Sequence, residues 1–479
     1  MKSYKLISIA VLLLLTRIVS GQYSNINLSS YKLPDIKLDR LDASFNAGNS
    51  LSSNRFRPSY SDSTKTFSNT IQGTANIDYY HFRNTERYQG SYEVTGNLSL
   101  NNYNNKPDNA SQKSNSSYIN FVASSDNRFY NSNLKFIEAD PEISVYSTAI
   151  TNHTKQSTGS TTDVSTGYFT ANFSVPVSVG TGRIEPVEDM RLAVYILEEL
   201  NKAGRADSIQ PENVVVEMAK VISKIKRQRF FDTRLRKIRE LNVIDSFLVA
   251  NKIVSKNDIG YFAVLNDQWD YAAAPARSAG FAFNLGLDDY ISLNRSHSKT
   301  IFDVLPPINS EYTANTFFIG AFAQARYEKP VNLYWQSSFS LRASYGFEFM
   351  RNPNEDNDIV NKSDSKVIMS TLAYSIRYLP DSRTSVGLNF SGNYIGTNSD
   401  INTPGSISPH EKQTDNQFVV NTSFNMYYYL SPQLRIQLNA MLYYNTHSTF
   451  NDAGFMVDLK STENNLRQSS SIVLTYSFF

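Results

Sequence analysis

From Phe418 to Leu430, the apolar residues Phe418, Val420, Phe424, Met426 and Tyr428 alternate with Val419, Asn421, Ser423, Asn425 and Tyr427. The next stretch, Leu434 to Tyr444, repeats the arrangement, setting Leu434, Ile436, Leu438, Ala440 and Leu442 against Arg435, Gln437, Asn439, Met441 and Tyr443. Val331 to Phe349 carries it over a longer span, with Leu333, Trp335, Phe339, Leu341, Tyr345 and Phe347 on one side. Alternation of period two over ten or more residues predicts strands with one apolar face. Applied to the whole chain, it predicts about fourteen strands. The first six lie near 38–49, 70–84, 90–102, 116–125, 130–151 and 164–178. A second series lies near 275–291, 313–328, 331–350, 365–379, 384–397, 416–430, 433–446 and 468–479. The strand holding Pro141 is the weakest, because proline suits only an edge or a bulge.

The connections alternate in length. Short turns are expected at 83–89, 124–128, 327–331, 380–383 and 431–433. Long polar loops are expected at 50–69, 103–115, 152–163, 292–312, 351–364, 398–415 and 447–467. An antiparallel barrel with both chain ends on the short-turn side has this form, and its last strand, "SIVLTYSFF", would close on the first.

One connection breaks the rule. After the sixth expected strand, the pattern changes to helical spacing over about ninety residues. Pro186 would open a first helix with Glu188 and Asp189 in its first turn, and Gly204 would stop it. Met190, Ala193, Val194, Ile196, Leu197 and Leu200 line one face. A second helix would begin at Pro211 and carry Val215, Met218, Ile222 and Ile225. Asp232 would cap a third that runs through Leu235, Ile238 and Leu241 toward Phe247. A fourth would open on a capping box of Ser255 and Asp258 and present Phe262, Leu265 and Trp269. Four short amphipathic helices can bury their stripes against one another as a bundle.

Composition sharpens this picture. Mean hydropathy is −0.38, yet 13% of residues are aromatic, with 30 Tyr and 29 Phe against two Trp. A polar average joined to many aromatics fits strands that show lipid one face and water the other. The N-terminus carries Lys2 and Lys5, an apolar run from Leu6 to Leu15, and the small residues Ser20 and Gly21. That order predicts a secretory signal over 1–21, cleaved before Gln22. The chain has no Cys, which excludes disulfides, thiolate metal sites and a thiol-linked lipid anchor.

The signal, the even strand number, the loop alternation and the terminal "LTYSFF" together resemble Gram-negative outer-membrane β-barrel proteins. The resemblance implies an all-β transmembrane, up-and-down antiparallel barrel with an α-helical periplasmic insert between strands six and seven. It divides the chain into a signal (1–21), a periplasmic N-terminal segment (22–37), strands one to six (38–182), the insert (183–272) and strands seven to fourteen (273–479). It further implies outer-membrane lipid as surroundings and recognition by the barrel-insertion machinery through Tyr476 and Phe478, with Phe479 one residue beyond the Y-x-F arrangement.

Two groups of residues carry candidate chemistry. On the polar side of strands, Arg326, Arg342, Arg377 and Arg435 stand against Asp78 and Glu93. Opposed charges across a lumen would orient polar solutes; alternatively they would form ion pairs that fill and stiffen a closed interior. In the insert, Lys220, Lys224, Lys226, Arg227, Arg229, Arg234, Arg236, Lys237 and Arg239 accompany the single Asp232. They would dock lipid phosphates or an acidic periplasmic protein partner, or else form a solvated helix face balanced by nearby acids. Nucleic acid is excluded by compartment. His153, His297, His410 and His447 fall in expected external loops and His81 near the periplasmic boundary. A rim hydrolase built on His410 beside Ser408 and Glu411 is the weakest reading, so an enzyme is not expected. No phosphate-binding glycine loop or metal-ligand spacing occurs, and no cofactor is implied. A channel for small polar solutes with a helical gate leads. The alternative is a membrane-anchored scaffold whose insert binds a periplasmic partner.

Overall fold

The computed structural model describes residue 23 and residues 26–56, 64–107, 110–156, 158–206, 209–227, 233–255, 257–271, 277–354, 359–381, 383–404, 410–431, 434–452 and 459–476. The expected signal, Arg229, Asp232, Ser408, Phe478 and Phe479 lie outside the described residues. One antiparallel sheet of 16 strands forms the body. Its first half comprises β1 (Ile36–Phe56), β2 (Thr64–Asn84), β3 (Tyr88–Pro107), β4 (Ser111–Tyr130), β5 (Lys135–Ala139), β6 (Glu142–Lys155), β7 (Thr161–Ser174) and β8 (Val177–Pro186). Four helices follow: α1 (Glu188–Lys202), α2 (Glu212–Ile225), α3 (Thr233–Ala250) and α4 (Ile259–Tyr271). The second half comprises β9 (Ser278–Phe302), β10 (Ile308–Pro330), β11 (Trp335–Asn354), β12 (Ile359–Tyr378), β13 (Thr384–Asn402), β14 (His410–Tyr429), β15 (Leu434–Asp452) and β16 (Leu459–Tyr476).

Sixteen strands replace the expected fourteen, and the helices fall between β8 and β9 rather than between strands six and seven. The reason is proline. β4 pairs with β6 through Ser111–Ser124 and with β5 through Asn127–Tyr130, so β5 and β6 share one place in the sheet. β7 and β8 likewise share the place beside β9. The breaks fall at Asp140–Pro141 and Val175–Pro176, because a residue without an N–H cannot continue a ladder. Neighbours take up the freed backbone groups: the Asp140 N–H donates to the Pro176 carbonyl at 3.1 Å, and the Val175 N–H donates to the Asp289 carboxylate at 3.2 Å.

Two expected turns move. The turn placed at 124–128 lies at 131–134, where the Asn131 side chain accepts the N–H groups of Asn133 and Lys135 and Leu134 takes a φ of 56°. The turn placed at 327–331 lies at 331–334, held by the Asn332 side chain. Much of what reads as long loop is strand: β1 runs to Phe56, β9 to Phe302 and β12 starts at Ile359.

The strands have two unlike faces. On β10, Phe317 and Ile319 are 41% and 44% exposed, while Phe318 between them is 1% exposed. Ala321, Ala323, Ala325 and Tyr327 continue the outer row, and it runs on across the ladder. Ile319 stands opposite Phe347, Phe317 opposite Ile291 and Phe349, and Ala325 opposite Phe283 and Leu341. From Phe317 to Tyr327 the row matches the roughly 9–11 residues a tilted strand needs to cross hydrocarbon. Asp289 interrupts this face, and its carboxylate is the group that accepts the Val175 N–H at the proline break. Past Phe317 the same face turns polar at Asn315, Thr313, Glu311 and Asn309. On the other face Tyr312 and Ile308 are themselves exposed, so no clear apolar–polar alternation marks the remaining strand.

Among the described residues β1 pairs only with β2 and β16 only with β15. The expected pairing of the first strand with the last is not among these ladders.

The helical insert grows out of a hairpin, since Pro186 of β8 stands opposite Ser278 of β9. Gly182 and Gly280, at φ of 98° and 132°, twist the hairpin there, a backbone conformation that glycine adopts without steric cost. The insert therefore begins after Pro186 rather than at the expected 183, because Arg183–Pro186 belong to β8. Pro186 does not open α1, and Val187 precedes its first residue without a side-chain cap. Gly204, at φ 63°, does end it, and the Arg205 N–H returns to the Leu200 carbonyl at 2.8 Å.

α1 is buried on every side: Met190, Ala193, Val194, Ile196 and Leu197 are at most 1% exposed. One side meets α2 and α4. The other meets the short-turn end of the sheet, where the Tyr195 hydroxyl donates to the Leu379 carbonyl at 3.0 Å. Leu28, Tyr31 and Leu33, ahead of β1, join the same apolar cluster, as does Leu333 from the β10–β11 turn. The α2 stripe of Val215, Met218, Ile222 and Ile225 is buried as expected. On α3, Ile238 is exposed and Ile244 and Leu248 are buried instead. On α4, Tyr261 takes the buried place expected of Phe262, because it lies on the i, i+4, i+8 row of Leu265 and Trp269, and Asp258 accepts the Tyr261 N–H at 3.0 Å. Ser255 takes no part in a capping box there; its own N–H donates to the Arg205 carbonyl.

Candidate functional site

The inner face of the sheet carries the polar chemistry, and the helices close its short-turn end. Small side chains are frequent on the inner wall of β11–β14: Ser338, Ser340, Ser375, Asn389, Ser391 and Asn421 line a cavity of about 340 Å³ together with Glu328 of β10 and with Phe339, Tyr374 and Phe390. Serine and asparagine leave space where leucine or phenylalanine would fill it. A larger groove lies on the apolar face, where Phe45, Ile71, Leu98 and Leu100 line it together with Asn102, Asn115 and Thr151.

Three of the charged residues expected along the lumen, Arg326, Arg342 and Asp78, have charge partners, and these are not one another. Arg326 donates to Glu138 at 3.3 Å. Glu138 is 2% exposed and also receives Arg128 at 2.7 and 2.5 Å and Asn284 at 2.8 Å. Arg342 donates to Asp288 at 2.7 Å and lies over the Phe322 ring at 3.8 Å. Asp78 lies 3.6 Å from Arg40. Glu93 stands opposite Tyr80 and Ser124 on the inner face. Arg435 lies 5.8 Å from the Tyr429 ring centre. Arg377 stands between Gln336 and Gly387 in the ladder. Local pairs thus engage Arg326, Arg342 and Asp78. Glu138 and Asp288, the carboxylates that matter here, were not among the sequence candidates. Glu138 falls in the segment that Pro141 interrupts, where no clean alternation assigns it a face.

Much of the basic stretch is engaged within the insert. Asp189 of α1 is 1% exposed and accepts Ser223 at 2.5 Å, Lys226 at 2.8 Å and Arg227 at 2.9 Å. Burial pushes its carboxyl pKa up, but the charges of Lys226 and Arg227 outweigh burial and hold it below the usual carboxylate value. The Ser223 hydroxyl also meets the Tyr31 hydroxyl at 2.6 Å, which ties the N-terminal segment to the bundle. Lys220 pairs with Glu217, Arg236 with Glu240 and Lys237 with Asp270, each at 2.7 Å. Lys224, exposed near the end of α2, and Arg239 on α3 lie at the surface. Arg234 lies on α3. The stretch is largely an internal brace: Glu217 and Glu240 flank it on its own helices, whereas Asp189 and Asp270 are hidden from the sequence because they lie on other helices.

A further pair fixes the bundle to the sheet: Arg383, after β12, donates twice to the Asp267 carboxylate of α4, at 2.9 Å each.

The histidines pair with carboxylates along strands: His81 with Asp39 at 2.7 Å, His153 with Asp163 at 2.5 Å, His297 with Glu311 at 3.1 Å and His447 with Asp415 at 3.5 Å. His410 is the first residue of β14 and is followed by Glu411. Among the described residues no group of three His, Asp or Glu side chains could hold a metal, and no helix is long and apolar enough to cross a membrane.

No family model matches the chain, and no curated protein matches it significantly. Several solved structures are similar, two of them as follows. The transport unit of the autotransporter AIDA-I from Escherichia coli shares 10% identity at a TM-score of 0.25, over 82% of this chain and 91% of that one. The beta domain of the Bordetella autotransporter BrkA shares 8% identity at a TM-score of 0.22, over 92% of this chain and 99% of that one. At such scores the account of this chain rests on its own strand register and faces.

Proposed function

We propose that the chain is an outer-membrane β-barrel that passes small polar solutes through its interior and is closed at its short-turn end by the helical insert. One observation carries this reading: α1 is buried between its neighbouring helices and the short turns of the sheet, while the wall beyond it is lined by small polar side chains. A plug joined to the wall by one apolar core, below a wall that does not fill its own interior, is the arrangement of a gated channel. In a planar bilayer the intact protein is expected to conduct little, and conductance is expected to appear when the insert is removed.

Membrane residence also requires closure. Unpaired N–H and C=O groups along β1 and β16 would each cost several kcal/mol in hydrocarbon, about what an unsatisfied backbone group costs there. The two strands therefore pair in the bilayer. The native absence of cysteine makes this directly measurable. A cysteine at Ala43 is combined with single cysteines stepped along β16 from Leu466 to Leu474. One register is expected to form a disulfide on mild oxidation, because Cβ atoms must approach to roughly 4 Å. An oxidised sample with no cross-link at any step speaks against closure.

The scaffold reading keeps one specific support. Ile209, Ile238, Val249, Ile259 and Phe262 are exposed on the insert, Ile259 at 90%. A protein partner could cover them. A closed, non-conducting barrel both with and without its insert would favour that role.

A further inference from the structure

A chain of hydrogen bonds runs from the end of the insert to the cavity in the inner wall of β11–β14. Arg277, just ahead of β9, clamps the insert to the sheet: its Nη1 donates to the Leu333 carbonyl at 2.5 Å and its Nη2 to the carbonyls of Asn332 and Trp335 at 2.7 Å each. Its Nε donates to Gln336 Oε1 at 3.3 Å. Gln336 is 4% exposed. Because a guanidinium only donates, the Gln336 oxygen faces Arg277 and the amide nitrogen faces away from it. That nitrogen donates to Glu328 Oε2 at 3.1 Å and to the Ser278 carbonyl at 2.8 Å. The Ser338 hydroxyl donates to the same Glu328 oxygen at 2.5 Å.

Glu328 is therefore held through one oxygen. Among the described residues its Oε1 has no hydrogen-bond partner. Glu328 lines the 340 Å³ cavity, and among the described residues no Lys, Arg or His does. The rest of the wall offers hydroxyls. Ser340 on β11 and Ser391 on β13 stand on either side of Ala373, and Ser375 stands between Ser338 and Asn389. The hydroxyls of Ser340, Ser375 and Ser391 have no partner among the described residues. Paired strands lie about 5 Å apart, so Ser340 and Ser391 are separated by about 10 Å across the small Ala373 side chain.

We propose that this cavity binds a neutral polyhydroxylated solute of one or two sugar rings, with Glu328 Oε1 as the anchoring acceptor. A sugar hydroxyl both donates and accepts, as do the serine hydroxyls facing it, so each contact forms in whichever direction its neighbours leave open. The carboxylate makes the stronger bond, since an ionised acceptor roughly doubles the strength of a neutral hydrogen bond. A point cation would meet Glu328 and leave hydroxyls about 10 Å apart unused, whereas a polyol spans them. The volume stands at the lower end of the roughly 300–1,000 Å³ of small-molecule sites. As the solute class of a pore, this rests on the channel reading; binding at the wall does not.

The test is saturation-transfer NMR on the full chain, in a polyoxyethylene detergent without sugar head groups, with D-glucose and maltose as probes. Saturable transfer to at least one of the two is expected. Glu328→Gln should weaken it by about tenfold or more, as loss of a charged hydrogen bond does, and Ser375→Leu, which fills part of the cavity, should do the same. No saturable transfer from the native chain to either sugar overturns the site, as does binding that is unchanged in either variant. Choline bound in place of the sugars, and released by Glu328→Gln, overturns the polyol in favour of a cation. Planar-bilayer recordings read the pore separately. A silent bilayer together with saturable sugar binding removes the channel and leaves the site standing, and a conducting protein that holds neither sugar removes the site and leaves the channel.

Discussion

Excision of residues 188–276, with a short glycine-serine turn joining Val187 to Arg277, is expected to leave a folded barrel whose single-channel conductance rises at least several-fold. The ends are suited to the operation, because Pro186 and Ser278 stand directly opposite one another in the β8–β9 ladder. A hairpin of this kind needs only two to a few linking residues. What is lost is the body of α1 that fills the short-turn mouth, together with the Tyr195 bond to Leu379 and the Arg383–Asp267 pair. Apolar groups such as Leu33 and Leu333 would then face water, so some loss of stability accompanies the opening. Heat-modified mobility of the barrel on gels checks the fold, and planar-bilayer recordings check the pore. An excised barrel that folds and remains silent contradicts the gate.

Asp189→Ala is the second large effect. It removes the acceptor shared by Ser223, Lys226 and Arg227, leaving two largely buried cations without their counter-charge. Breaking a buried pair from one side costs about 3–5 kcal/mol. Because Lys226 is 24% and Arg227 13% exposed, about 3 kcal/mol is the expected value here. Amide exchange in α1 and α2 should accelerate by about a hundredfold, with strand amides unchanged. The pH dependence has a definite sign. The folded pKa of Asp189 is depressed, so its stabilisation is complete above the unfolded value near 4 and is lost as pH falls through the folded one. The difference in plug protection between the native chain and Asp189→Asn should therefore stay level from neutral pH to about 5 and shrink only below about 4. A difference that already fades near pH 6 would refute this role. Glu188 acts in the opposite sense, since its raised pKa makes its ionisation a cost as pH rises, and it is present in both proteins compared.

What could be read from the chain follows from where two solvents meet. Rows such as Phe424, Met426 and Tyr428 alternate with Ser423, Asn425 and Tyr427 because one side meets apolar surroundings and the other a polar interior. That contrast is written directly into the residues. The helices were legible for the same reason, since the buried faces of α1 and α2 recur at helical spacing. Past the apolar belt, Arg295, His297 and Lys299 share a face that follows Leu293, and nothing in their polarity separates strand from loop. Prolines 141 and 176 split two strands and displaced the count. The clamp between insert and sheet was hidden for another reason: Arg277 reads as one residue in a linker, and only the return of β9 beside β8 brings it to the carbonyls of the β10–β11 turn.

The central claim is that the two faces of these strands meet different surroundings, lipid outside and water or polar packing within. Nitroxide labels on single cysteines at each position from Phe317 to Tyr327, in protein reconstituted into vesicles, test it most directly by collision with dissolved oxygen and with a water-soluble nickel complex. The account predicts strict alternation, with oxygen favoured at Phe317, Ile319, Ala321, Ala323, Ala325 and Tyr327, and lower oxygen contact at the residues between. Equal nickel access at every position would contradict it.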